Sequence, residues 1–203
     1  METTIIENFL SQDELKSCLK IFNALHQDPN KLTRNKSVFE VDSIQISNFN
    51  LLNNLNLKIN SLLKEKTKED FYFFQLWIGK NTKNNFDKNK LPYITHFDRS
   101  RRLKGMIYLS DVTEENGPIH LCEENYDWIE NIRKSLPNNW MDSNLNSNPL
   151  IGKIKPPIPI IKKSGTLILF DTNTPHHAGE VLNNNERKYL RFDYIIKDKN
   201  NFI

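Results

Sequence analysis

The sequence predicts a mainly β or α+β domain whose helices come first, and three observations lead there. Long helical periodicity is confined to the stretch before residue 67. Four later segments, "FYFFQLWIG", "LKGMIYLSDV", "GTLILFD" and "RKYLRFDYII", are rich in aromatic and β-branched residues and bounded by Gly, Pro, Asn or Asp, the composition of half-buried strands. The two kinds of segment do not alternate as β-α-β, which argues against a doubly wound sheet. At 203 residues the chain is long enough to bury a core without disulfides or structural metal. No repeat or linker divides it, so residues 1–203 are expected to form one domain.

In chain order, "SQDE" opens the first helix as a capping box, with Ser11 at N-cap and Glu14 three residues on. Leu15, Cys18, Leu19, Phe22 and Leu25 then recur on one face. "LLNNLNLKINSLLKE" repeats the pattern through Leu52, Leu55, Ile59, Leu62 and Leu63. Both helices are expected to pack on the outside of the domain, making a helical N-terminal part over residues 1–66. Between the four strands lie the loop "KNTKNNFDKNKLP" and a long segment from Cys122 to Pro149, with a short helix expected at "YDWIENIRKSL". "KIKPPIPIIKK" follows, and its prolines suit only extended or edge backbone.

Composition narrows the function classes. The apolar fraction of 37% with 10% aromatics suits a globular chain, and the mean hydropathy of −0.62 marks a polar surface. A net charge of +3, with no helix carrying a basic stripe, does not call for nucleic acid. Two cysteines, Cys18 and Cys122, make no disulfide framework and suggest a reducing compartment. The first residues lack a basic, then apolar, secretory pattern, and no apolar run reaches membrane-spanning length. A cytoplasmic protein with no membrane partner is expected.

"YITHFDRSRR" sets His96 and Asp98 at the same parity along an extended chain, so an imidazole and a carboxylate can reach one point. Alone, such a pair equally suits a strand-end turn. "GTLILFDTNTPHHAGEV" adds a strand, a polar turn, and His176 and His177 followed by Ala178 and Gly179, which leave room for close approach. Two histidines and one carboxylate on one face of a metal form the facial triad of non-heme Fe(II) oxygenases.

The ordered set "THFD", "IYLSDVTEENGP", "GTLILFDTNTPHHAG" and "ERKYLRFDY" resembles the phytanoyl-CoA dioxygenase-like branch of the Fe(II)/2-oxoglutarate oxygenases, over about residues 71–196. The resemblance implies a double-stranded β-helix core, jelly-roll and cupin-like, flanked by helices. It implies Fe(II), 2-oxoglutarate as cosubstrate and O2, with release of succinate and CO2 as a small-molecule substrate is hydroxylated. It assigns the iron to His96, Asp98 and His176, the last lying eleven residues after Gly165, and leaves His177 a bystander, the alternative being that the two histidines are swapped in role. Related halogenases carry a small residue in place of the acid; Asp98 argues against that chemistry.

The resemblance also implies an arginine for the distal carboxylate of the oxoacid, and eleven residues after His176 stands Arg187. Such a carboxylate inside a poorly hydrated barrel needs a partner, and a guanidinium pairs with it bidentately. On the last strand Arg187, Tyr189, Arg191 and Asp193 share one face, expected to line the cavity, while Leu190, Phe192 and Tyr194 pack outward. Arg191 lies roughly 13 Å beyond Arg187 at about 3.3 Å per residue; it is the second choice, or else pairs internally with Asp193. Lys104 and Tyr108, which share a face with Met106, are further candidates for contact with the cosubstrate, as are Gln75 and Trp77 for the barrel interior. The turn "TEENGP" is read as a turn only. His120 stands in "PIHLCEEN", where many relatives have a Pro-Gly-Ser-His turn, and that departure bears on the substrate lid.

Arg99, Arg101 and Arg102 suggest a rim that steers an anionic small molecule, or else a solvated basic loop. Residues 122–163, with Trp128 and Trp140, form the candidate lid. Three competing readings are a metal-dependent cupin-like isomerase or hydrolase, a non-catalytic binding module, and a basic-patch nucleic-acid binder. The first has no need of Arg187, the second makes an intact triad fortuitous, and the third lacks aromatic interleaving around the patch.

Overall fold

A computed structural model describes residues 1–34, 36–83, 91–137 and 143–197. Its strands are β1 (Thr4–Ile6), β2 (Val38–Asp42), β3 (Phe71–Thr82), β4 (Arg102–Tyr108), β5 (Ile119–Leu121), β6 (Ile158–Pro159), β7 (Leu167–Asp171), β8 (His176–Ala178) and β9 (Glu186–Ile196). Its α-helices are α1 (Gln12–Leu25), α2 (Asn50–Lys66) and α3 (Trp128–Ser135). The capping box forms as expected: the Glu14 amide donates to Ser11 Oγ at 3.2 Å and the Ser11 amide to Glu14 Oε2 at 2.9 Å.

The strands make two antiparallel sheets, one of six strands in the order β1-β7-β4-β9-β3-β2 and one of three in the order β6-β5-β8. This is the double-stranded β-helix, or jelly roll, that the resemblance implies. The four expected strands are the four central ones of the large sheet, because long runs of aromatic and β-branched residues are the segments that can be covered on both faces. Leu76, Ile78, Leu103, Ile107, Leu167, Leu169, Leu190, Phe192 and Tyr194 point outward and form one core with Leu52, Leu55, Ile59 and Leu63 of α2 and with Leu15, Cys18 and Phe22 of α1. Gly105 of β4 lets α2 approach; a Cβ there would stand 3.0 Å from Ile59 Cγ2.

The expected helical N-terminal part needs correction. Residues 1–66 also supply β1, which pairs with β7, and β2, which pairs with β3. Both strands are short and edge-placed, and their apolar pattern is too brief to separate from loop. The N-terminal stretch is thus built into the large sheet.

The opposite face of the large sheet looks inward. Met106, Tyr108, Ile168, Phe170 and Tyr189 meet Ile119, Leu121 and Ile160 from the small sheet and its flanks in a second core. That core closes one end of the jelly roll. Toward the other end the inward positions turn polar, and register stacks them in rows: Trp77, Arg191 and Met106; then Gln75, Asp193, Lys104 and Phe170.

Candidate functional site

The polar end of the jelly roll encloses a cavity of about 1440 Å³, whose wall includes His96, Asp98, His176, Lys104, Arg187 and Trp77. His176 begins β8 of the small sheet, whereas His96 and Asp98 lie on the segment entering β4 of the large one. The two segments meet in a single antiparallel bridge: the His96 amide donates to His176 O at 3.0 Å and the His176 amide to His96 O at 2.9 Å. Ligand atoms of His96, Asp98 and His176 lie within 4.8 Å of one another. Asp98 Oδ1 is 3.8 Å from His96 Nε2 and 3.5 Å from His176 Nε2.

Both imidazoles are oriented by backbone. His96 Nδ1 donates to Ile94 O at 2.7 Å and His176 Nδ1 to Thr174 O at 3.0 Å. A proton on each Nδ1 leaves the Nε2 lone pairs facing Asp98, the tautomer a metal ligand requires. Burial, reinforced by His176, pulls His96 down to about 3 against the opposing pull of Asp98. Burial alone would raise the Asp98 carboxyl; Lys104, His176 and His96 outweigh it and hold Asp98 well below the ordinary carboxylate range. A neutral His96 imidazole and an ionised Asp98 carboxylate are thus presented beside His176.

Arg187, on β9, is 3% exposed, and its Nε and Nη1 have no hydrogen-bond partner. The Tyr108 hydroxyl, which interacts with this guanidinium, also donates to Ile160 O at 3.0 Å and accepts from the Ile119 amide at 3.2 Å. Tyr108 therefore braces the floor below the cavity. Arg191 is paired: Nε and Nη2 each donate to Asp193 at 2.8 Å, and its guanidinium lies 3.5 Å from the Trp77 ring centre. The internal pairing that the sequence left open is the arrangement found.

Lys104, expected as a contact for the cosubstrate, lies in the cavity wall. Its Nζ is 2.6 Å from Asp98 Oδ2 and 3.5 Å from His176 Nε2, so it meets the triad itself. Burial lowers the Lys104 ammonium pKa, with Asp98 opposing. His177 lies off the triad, with Nδ1 3.1 Å from Thr95 Oγ1 and its ring stacked on His120 at 4.3 Å.

Two arginines of the expected rim have internal partners. Arg101 grips buried Asp171 through Nε and Nη2, at 3.1 and 2.7 Å, and reaches Glu69 at 3.1 Å. Arg102 reaches Asp193 at 3.3 Å and lies over Phe74. Both are structural pairs between strand segments. Of the expected lid, α3 and the stretch from residue 143 on are described; Trp140 lies outside the described residues.

The sequence reading passed over Arg133. Its Nε donates to Asp98 O at 3.0 Å and its Nη1 to Asn173 Oδ1 at 2.9 Å and to Glu130. One guanidinium thereby ties α3 to the two segments that carry the triad. The only trace in sequence is its place one turn after Ile129, on the helix face that turns inward.

The same fold occurs in enzymes of non-heme iron and 2-oxoglutarate chemistry. HygX from Streptomyces hygroscopicus, solved with nickel and 2-oxoglutarate bound, is 14% identical with a TM-score of 0.61, covering 95% of this chain and 82% of its own. The epimerase SnoN, solved with Fe3+, α-ketoglutarate and nogalamycin RO, is 15% identical with a TM-score of 0.67, covering 96% and 78%. The collagen prolyl hydroxylase vCPH from Paramecium Bursaria Chlorella virus-1 is 14% identical with a TM-score of 0.60, covering 98% and 91%. No curated protein matches the sequence significantly.

Family and fold together place the chain among the Fe(II)/2-oxoglutarate-dependent oxygenases. Within that class the chain belongs to the phytanoyl-CoA dioxygenase (PhyH) family, whose sequence pattern matches residues 3–189.

Proposed function

We propose that His96, Asp98 and His176 hold the Fe(II), that Arg187 binds the distal carboxylate of 2-oxoglutarate, and that the enzyme hydroxylates a small molecule. The observation that carries this reading is the contrast between two arginines on one strand. Arg191 is neutralised by Asp193, whereas Arg187 is buried beside the same cavity with two donor atoms unpaired. A buried guanidinium in that state is costly unless a ligand completes it.

When bound, the iron and oxoacid would supply, with O2 as oxidant, oxidative decarboxylation of 2-oxoglutarate to succinate and CO2, one oxygen atom going to succinate and the other to the hydroxylated substrate. The chain's own contribution is orientation. Ile94 O and Thr174 O fix the two imidazoles, and Arg133 and Arg101 hold the ligand-bearing segments against each other. Phe170, packed edge-on at 5.3 Å from the His176 ring, keeps that side of the site apolar.

A cavity of about 1440 Å³ exceeds what a five-carbon oxoacid fills and leaves space for a small-molecule substrate. HygX has also been solved with hygromycin B, and SnoN with nogalamycin RO, which supports that substrate scale. Arg101 and Arg102 lend no support to an anionic substrate, since both are paired. We assign residues 1–203 to one oxygenase domain acting in the cytoplasm. Free buried Cys18 and Cys122 favour a reducing compartment, burial pushing their thiols up to about 12 and about 11, and no described helix is long and apolar enough to cross a membrane.

The direct test is succinate release from 2-oxoglutarate by the purified protein with Fe(II) and O2, in the absence of substrate. Slow turnover that Asp98→Ala removes is the expected result. No turnover and no oxoacid binding in the wild-type protein would overturn the reading.

A further inference from the structure

We propose that Lys104 is a positioning residue that confines Asp98 to one-oxygen coordination and biases the site toward the metal–oxoacid complex; this rests on the reading of Asp98 as an iron ligand. The two oxygens of Asp98 face different partners. Oδ1 looks toward both imidazole Nε2 atoms, at 3.8 and 3.5 Å, while Oδ2 is engaged by the Lys104 ammonium at 2.6 Å. Carboxylates bind metals through one oxygen or two, and the second oxygen here is already taken.

The lysine has little choice of partner. It is 4% exposed on β4, between β7 and β9, with Phe170 as its neighbour across the β7 side. Its cross-strand neighbour Asp193 is the nearest alternative acid in register, but that carboxylate accepts from Arg191, Arg102 and Gln75. The ammonium is thus directed to Asp98.

Stoichiometry makes this matter. In an octahedral shell three protein ligands and a chelating oxoacid leave a single position for O2. A two-oxygen Asp98 would consume that position or displace one arm of the oxoacid. A fixed cation beside the site also opposes a bare divalent ion and favours a dianionic chelator, since both effects follow the sign of the charges.

The experiment compares wild-type protein with Lys104→Met and Lys104→Gln. Co(II) binding, 2-oxoglutarate binding to the Co(II)-loaded protein, the cobalt visible spectrum and the thermal midpoint are measured. The two affinities are expected to separate in Lys104→Met: 2-oxoglutarate weaker by about 10-fold or more, Co(II) equal or tighter, with altered ligand-field bands. Lys104→Gln, which keeps a donor for Oδ2, is expected to retain the wild-type bands while still losing oxoacid affinity.

Unchanged affinities and bands in both variants would overturn the proposal. So would a joint loss of both affinities that tracks a lowered thermal midpoint, which is what a purely structural lysine gives. If the wild-type protein binds neither Co(II) nor oxoacid, the iron-site reading itself falls, a separate result from a failed Lys104 comparison.

Discussion

Arg187 and Arg191 share one strand face but differ in what their guanidiniums touch, and that difference predicts opposite phenotypes. Arg187→Met removes a buried group with unpaired donors, so the protein is expected to fold normally while KM for 2-oxoglutarate rises about 10- to 100-fold; steady-state succinate assays read this. Arg191→Met leaves Asp193, which is 0% exposed, short of its main cation, and is expected to cost about 3–5 kcal/mol in denaturant unfolding. The triad candidates were legible because their spacing is local: parity brings His96 and Asp98 together, and the resemblance supplied His176. The pairing of Arg101 was not legible because its partner Asp171 lies 70 positions away, and a run of arginines without its acids looks like an exposed basic patch. Arg133 was missed for the same reason, since its acceptors on Asp98 and Asn173 are tertiary.

Among the elements, the longest were the easiest to read. The α1 capping box and apolar stripe appear where the sequence puts them, and α2 follows its leucine periodicity, although its N-cap, Phe49, supplies no side-chain cap. β5 and β8 span three residues each, too few for alternation to be diagnostic, yet β8 carries His176. Short strands of that kind are defined by the neighbours they pair with. The packing of α2 on the outward face of β4 gives a prediction for the element: Ile59→Ala empties a fully buried position and is expected to cost about 2–5 kcal/mol. Chemical denaturation measures it, and 2-oxoglutarate affinity below the transition should be unaltered, because Ile59 faces away from the cavity.

For the molecule as a whole, acid should be destabilising in a defined window. His96 falls from its ordinary 6.5 to about 3 in the folded protein, so the unfolded chain binds more protons between those values. Stability is therefore fully present above about pH 6.5 and declines as the pH drops toward 3, by on the order of 2–4 kcal/mol from this histidine. Asp98, held well below its ordinary 3.8, extends the decline at the acid end. Thermal midpoints of metal-free protein across that range test the sign, and a flat profile would contradict the buried neutral imidazole. The fold class was readable from composition and order of elements, and the closure of the jelly roll was not, because that depends on which edges find each other.

The backbone bridge between His96 and His176 has one more consequence. It joins the strand-entry segment of the large sheet to an edge strand of the small one, with two amide hydrogens carrying the seam. An ion held by both imidazoles would act as a rivet across that seam. Chelator-stripped protein is expected to exchange the amide hydrogens of His96 and His176 for deuterium faster than metal-loaded protein, while the centre of β9, held between β3 and β4, keeps the same rate. The iron would then serve as a fastener as well as a reagent, and the mouth of the barrel would loosen wherever iron is scarce.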